Sequence, residues 1–506
     1  MSFIRTQQKN LRTLIADNAG SSLYAHLGLS ALGKYRDFDM LYQSFTRTAP
    51  VTTHASLHQT LQTMTGMHAD MAQVLLQPKL TSAQPLLGLS YMGHDVVPVA
   101  PVLKTEWDAL QARLLALMAE QKIEDATHIF ALFNTHPGSG RSPQAPKEIE
   151  KHLLRGRTWW GKSKYVQDVD AQNDEARSSH QHMLAFYHQL QKVGKQVHIL
   201  LAEPRYLTHF ALFVARQEGR FVPLKELCPN IKVYCPLGVV ISPYRTELAY
   251  FFRDLPHLKQ IRLVLDATGL LAIQDDINLG RRFTVLPESS SFFEFIPESD
   301  VDPSGRLYRN FKRLHAGQIE VGKSYLILIS NMAGLTAYNT GWVVKVAEVE
   351  PFRFVVMRNL ESLNAFGEGV AVDVIARTVQ NINDTMASHG MFVRDFMVGA
   401  NVAKRYHRWV LELSRPVNTI DKTLLKAIAK RVLADMETNV PSYQHALRNG
   451  AFHLPEFSFV PVGTFSSMPD TFEFNWVDNS ESGEKITAVL TLAAQTATTF
   501  KGEEFL

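Results

Sequence analysis

The chain has 506 residues, enough for two or three domains each with its own core. Hydrophobic residues make up 45% and charged residues 20%, the balance of a folded globular protein. With 52 basic and 49 acidic residues the net charge is +3, too even for nucleic acid or an anionic membrane as the main partner. Cys228 and Cys235 are the only cysteines, so there is no disulfide framework and no four-cysteine zinc cluster. Two packed thiols in a reducing cytoplasm are the expectation. The opening residues MSFIRTQQKNLRTLIADN lack the apolar core and small-residue cleavage site of a signal peptide, and no apolar run reaches the ~18 residues of a membrane span. The sequence predicts a cytosolic globular protein.

Residues 105–120 place Trp107, Leu110, Leu114, Leu117 and Met118 on one helical face, with Thr105 as the expected N-cap. IFALF (129–133) reads as a buried strand, followed by the loop NTHPGSGRSPQAP. A polar helical stretch around 170–194 leads to the short apolar run VHILLA (197–202), then a helix over about 206–217 and a strand at 231–241. IRLVLDA, FFEFIP, SYLILIS and GWVVKVAEV follow as strands separated by Gly- and Asn-containing turns. Beyond FRFVVMRN (352–359) the pattern changes. Helices are predicted at about 376–389 and 421–438 around the strand YHRWVLEL (406–413), with a β-like end from 456 and a last strand at 486–495. Strand–helix alternation followed by a strand-rich section predicts a large α/β domain with a β portion, then a small α+β domain. The boundary falls near 358–362, giving domains 1–359 and 360–506.

Six segments in order carry a family resemblance: LKELCPNIKVYCPLGVVISPYR (224–245), ATGLLAIQDD (267–276), SSSFFEFIP (289–297), SNMAGLTAYNTGWVVKV (330–346), LNAFGEGVAVD (363–373) and YHRWVLEL (406–413). Together they resemble the auxin-responsive Gretchen Hagen family of acyl-acid amido synthetases, bacterial branch. The resemblance implies the fold of acyl-adenylate-forming enzymes, with a small C-terminal domain that swings over the large one. It also implies a reaction: ATP and Mg²⁺ convert a small carboxylic acid to an acyl-adenylate, and an amino acid or other amine attacks the activated carbonyl.

Such chemistry needs backbone N–H donors and a cation for phosphate, a carboxylate for Mg²⁺, a strong acceptor for the ribose hydroxyls, and an apolar acyl pocket. The family's Ser-Ser-Gly-Thr-Ser/Thr phosphate loop and nearby Lys correspond to LLGLSYMGHDVVP (86–98). Gly88 and Ser90 match it, but Leu86 and Leu87 stand for the leading serines and Asp95 for the Lys. A carboxylate beside a triphosphate repels it by ~1–4 kcal/mol. The family's Ser-Glu pair for Mg²⁺ reads Ala267-Thr268 before Gly269, with Asp266 adjacent as a substitute ligand. The ribose Asp of its Arg-Tyr…Gly-Asp motif is Trp342 after Gly341, and the Arg before Tyr338 is Ala337. An indole cannot accept two hydroxyl hydrogen bonds. Gly238, Gly334 and Gly341 match the scaffold, and the family's C-terminal catalytic Lys corresponds to Lys485 or is a solvated lysine there.

Other signals have a bland reading. Gly88–Gly93 spells GxSxxG rather than the GxSxG of a nucleophile elbow. His180 and His182 in SSHQHM fit a polar helix surface better than a metal site. RGRTWWGKSKY (155–165) and HPGSGRS (136–142) read as a packed Trp pair with solvated cations and as a loop. The sequence therefore predicts a protein with this ligase fold whose ATP-handling positions are altered. Three functional expectations stay open: a nucleotide-incompetent member that binds an acyl ligand or regulates an active paralogue; a working ligase using Ser90, Thr268 or Asp266, and Trp342 as rerouted ligands; and acyl transfer without ATP.

Overall fold

The computed structural model describes residues 2–65, 86–89, 96–99, 102–120, 123, 129–132, 166–167, 179–236, 242–266, 268–274, 282–302, 305–468, 476–478 and 483–505. Three larger sheets organise them.

The first is parallel, in the order Val166–Gln167, Ile129–Leu132, Ile199–Ala202, Val233–Pro236, Lys259–Gln260. Its strand Ile199–Ala202 is apolar throughout because both faces are covered. Ile199 and Leu201 pack with Leu110, Leu114, Leu117 and Met118 of the helix Val102–Glu120. Leu200 and Ala202 point the other way, into a second core with the helices Ser179–Val193 and Pro204–Glu218.

The second sheet has eight strands, in the order Leu314–His315, Phe292–Pro297, Ser324–Ser330, Tyr338–Glu348, Arg353–Asn359, Arg282–Val285, Leu271–Gln274, Leu263–Leu265. It too is buried on both sides. Tyr325, Ile327 and Ile329 enter one core, while Leu326 and Leu328 enter another. The third sheet runs Val477–Asp478, Val393–Asn401, Tyr406–Leu413, His453–Val460, Thr498–Lys501. Helices Val372–Met386 and Lys422–Asn439 cover the face bearing Phe396, Val398, Trp409 and Leu411. Leu363 and Val370 already belong to that core, whereas Leu360 packs with the eight-stranded sheet.

Several elements differ from the sequence reading. Residues 486–495 are not a strand: Glu484–Leu492 is a helix. Ile486, Val489 and Ala493 share one face and pack on Met397, Val410 and Val460, so the apolar spacing follows the helical period. Asp478 anchors the first turn by accepting the Ile486 N–H at 3.1 Å. The last strand is instead Thr498–Lys501. The helix predicted from 105 begins at Val102, which puts Thr105 inside its first turn rather than at the cap. The helix predicted around 170–194 is described from Ser179 to Val193, and that predicted over 206–217 begins at Pro204, a residue suited to a first turn. Cys228 and Cys235 are free and buried, and burial pushes the Cys228 thiol up to about 12.

Candidate functional site

The segments predicted to meet magnesium and ribose converge on one turn. Strands Leu263–Leu265 and Leu271–Gln274 form a hairpin closed by Asp266, whose N–H and carbonyl bond Leu270 (3.1 Å) and Gly269 (2.9 Å). Asp266 Oδ1 accepts the Thr268 N–H at 2.9 Å, an Asx turn. Gly269 has φ +110°, and a Cβ there would lie 2.2 Å from Ser291 Oγ, so glycine is required twice over.

The loop before strand Tyr338–Glu348 is fastened to this turn. Asn331 donates to the Thr268 carbonyl at 2.8 Å, and its Oδ1 accepts the Ala333 and Leu335 N–H groups at 3.0 and 3.3 Å. Ala337, the residue expected from the resemblance to stand in place of an arginine, is fully buried with φ +46°, a conformation that costs a non-glycine residue ~1 kcal/mol or more. Ser330 Oγ accepts its N–H at 2.9 Å, and Thr52 donates to its carbonyl at 3.0 Å. Strain is thus held in place by neighbours on both sides of the chain. Gly341, φ +73°, turns the strand so that Trp342 points into the core.

Trp342 and Asp266 meet there. The indole Nε1 donates to Asp266 Oδ2 at 3.2 Å, and both side chains are wholly buried. Trp342 packs with Val264, Leu270, Phe283 and Phe354. Thr268 is also wholly buried, and its hydroxyl has no hydrogen-bond partner among the described residues.

One residue of this neighbourhood escaped the sequence reading. Glu106, 2% exposed, accepts the Ser290 N–H at 2.6 Å through Oε1, while Oε2 has no partner among the described residues. Ser291 in turn donates to the Gly269 carbonyl at 3.4 Å. Burial pushes the Glu106 carboxyl up to about 7, with its hydrogen bonds to Ser290 opposing the rise. The available signal was its spacing: Glu106 lies four residues before Leu110 on the apolar stripe, where a carboxylate is out of place.

The structure thus brings Asp266, Thr268, Gly269 and Trp342 together, with Ala337 and the buried Tyr338 on the same fastened loop and strand. It does not bring every predicted residue there. Gly88 lies in a separate two-stranded hairpin, opposite Val97. Lys485 is in the first turn of the helix Glu484–Leu492, on the third sheet, and is partly exposed. Ser90, Asp95, Gly238 and Ala267 lie outside the described residues, as do the segments 136–142 and 155–165 and the side chains of Trp107, His180 and His182. Among the described residues, no three His, Cys, Asp or Glu side chains are grouped to hold a metal ion, and no helix is long and apolar enough to cross a membrane.

Residues 283–358, which include Ala337, Tyr338 and Trp342, match the GH3 (Gretchen Hagen) family central domain. The chain resembles the GH3 family. Its fold is similar to GH3.15 acyl acid amido synthetase at TM-score 0.70 and 13% identity, over 99% of this chain and 95% of that one. The AtGH3.15 enzyme in complex with 2,4-DB matches at TM-score 0.68 and 13% identity, with the same coverage. A 2-hydroxyisobutyryl-CoA ligase, in its postadenylation state with R3-HIB-AMP, matches at TM-score 0.58 and 10% identity over 97% and 92% of the two chains. At these identities the likeness concerns the fold. The chain has the GH3 acyl acid amido synthetase-like fold over nearly its full length.

Proposed function

We propose that this GH3-like protein, of the bacterial branch and cytoplasmic, does not carry out ordinary ATP-dependent adenylation. It instead binds a small carboxylic acid in the inherited acyl pocket, or pairs with an active paralogue and regulates it. The observation that carries this reading is the buried Trp342–Asp266 bond, 3.2 Å long, at the positions the resemblance gives to ribose and magnesium. A nucleotide and its Mg²⁺ fit these residues poorly. The acceptor for the ribose hydroxyls is replaced by an indole, a donor only. Asp266, the carboxylate adjacent to the metal position, is already engaged by that indole and by the Thr268 N–H. A buried Trp withdraws ~150–250 Å² from water. Displacing it costs ~4–6 kcal/mol at ~25 cal/mol per Å², or ~10³–10⁴ in affinity.

Calorimetry with ATP·Mg²⁺ is the test: no binding is expected up to millimolar nucleotide, and a micromolar Kd overturns the proposal. Pyrophosphate release with a panel of carboxylic acids is expected to stay at background, and mass spectrometry of the purified protein to find a retained acid.

A second reading, a working ligase with rerouted ligands, is favoured by one observation. The Thr268 hydroxyl is buried and has no partner among the described residues, leaving an oxygen to offer a ligand. On that reading ATP, Mg²⁺, a small acid and an amine bind, and Thr268→Val abolishes a pyrophosphate release that the wild type shows.

A further inference from the structure

A second charged assembly lies between the helices Pro204–Glu218 and Arg245–Phe251 and the third sheet. Asp395, in the strand Val393–Asn401, is wholly buried. Its Oδ2 accepts from Arg205 Nε at 2.8 Å and lies 2.9 Å from His209 Nε2, both on the helix Pro204–Glu218. Tyr244 OH approaches Oδ1 at 3.4 Å and itself accepts from Trp476 Nε1 at 2.9 Å. Arg394 reaches back to Glu247 on the helix Arg245–Phe251. Asn383 bridges the two sides, donating to the Pro243 carbonyl at 3.1 Å and the Val393 carbonyl at 3.0 Å.

The apolar residues on either side of this layer fall into two cores. One core gathers residues from Phe130 to Phe251, the other residues from Leu363 to Phe505, and among the described residues only Trp476 packs against both. A polar, charged layer between two separate cores has the character of an interface between units, not of a core. Its charges decide what it does. A buried ion pair adds little net stability, since desolvation offsets the attraction. Any other arrangement, however, strips Asp395 and Arg394 of their partners or turns them to water. Such contacts act on geometry: they allow one docking and penalise the rest.

We propose that this seam is a latch, centred on Asp395, that holds residues 360–506 in one fixed arrangement on residues 1–359. The C-terminal unit then does not swing, and this holds whether or not a nucleotide binds.

Hydrogen exchange and small-angle scattering on the full chain test it. The wild type is expected to scatter as one compact arrangement. In Asp395→Ala, exchange should rise ~tenfold or more in Pro204–Glu218, Arg245–Phe251 and Val372–Met386, with a larger maximum dimension. Ser324–Ser330 and Tyr406–Leu413 should exchange as in the wild type. If Asp395→Ala does not fold, Arg394→Met with Glu247→Gln removes the second contact without leaving a lone charge, and the same pattern is expected. Unchanged exchange at the seam overturns the proposal. So does loss of protection in all regions together, or wild-type scattering that requires a mixture of arrangements.

Discussion

Two buried aspartates show how the same side chain takes on different work. Asp395 is met by a guanidinium and an imidazole from a helix on the far side of the seam. Arg205 and His209 outweigh burial and hold its carboxyl below the ordinary range. Asp266 is met by a backbone amide two residues on and by the indole of Trp342. One carboxylate fastens a large separation in sequence; the other shapes a local turn and seats one aromatic ring. The lesson is that burial by itself says little about an acid, and that its donors decide whether it orders distant units or a single loop.

Substitutions sharpen that contrast. Asp395→Ala removes the carboxylate that Arg205 and His209 share across the seam and is expected to lower stability by ~3–5 kcal/mol in urea unfolding, the cost of breaking a buried pair from one side. A loss below 1 kcal/mol would place the seam among weakly coupled surface contacts.

Next comes Glu106, beside the Gly269 turn. Its carboxyl sits at about 7 in the fold, above the ~4.3 of an exposed glutamate, so the fold favours the protonated form. Its contribution is full below the ordinary value and is lost as pH rises through about 7. Glu106→Gln should therefore remove ~3 kcal/mol of pH dependence between about 4 and 7, read as the difference between the wild-type and variant stability profiles. Glu247 and Glu412 are also pushed up to about 7, but they stay in both proteins and cancel in that difference. Parallel profiles would show that Glu106 titrates as an ordinary surface acid.

Gly269→Ala is expected to cost ~1–3 kcal/mol, from positive φ and the Ser291 contact together, measured as a shift in the unfolding midpoint. The smallest effect is predicted for Trp342→Phe. It keeps most of the bulk but removes the N–H from Asp266, for ~1–2 kcal/mol. An unchanged midpoint would mean that the Trp342–Asp266 bond is not what holds the turn.

Much of the fold was legible in the residues. Unbroken apolar runs such as ILLA and SYLILIS read as strands because both of their faces are covered, and YHRWVLEL spans the strand Tyr406–Leu413 residue for residue. The tail at 486–495 was misread because a short apolar run satisfies both periods; only the partners Met397, Val410 and Val460 distinguish the helix. At the candidate site, Thr268, Gly269, Ala337 and Trp342 are singled out only by their place in segments that resemble the family. That Trp342 touches Asp266 was not legible, because 76 residues separate them.

The sequence by itself determined most of the elements and turns, since apolar spacing, glycine and proline act within a few residues of where they stand. Only the tertiary structure decided which donor each buried acid would meet. Arg205 and Asp395 lie 190 positions apart, and no local pattern encodes a partner at that distance. An ion pair depends on where two surfaces come to rest, and packing fixes that only once the chain has folded.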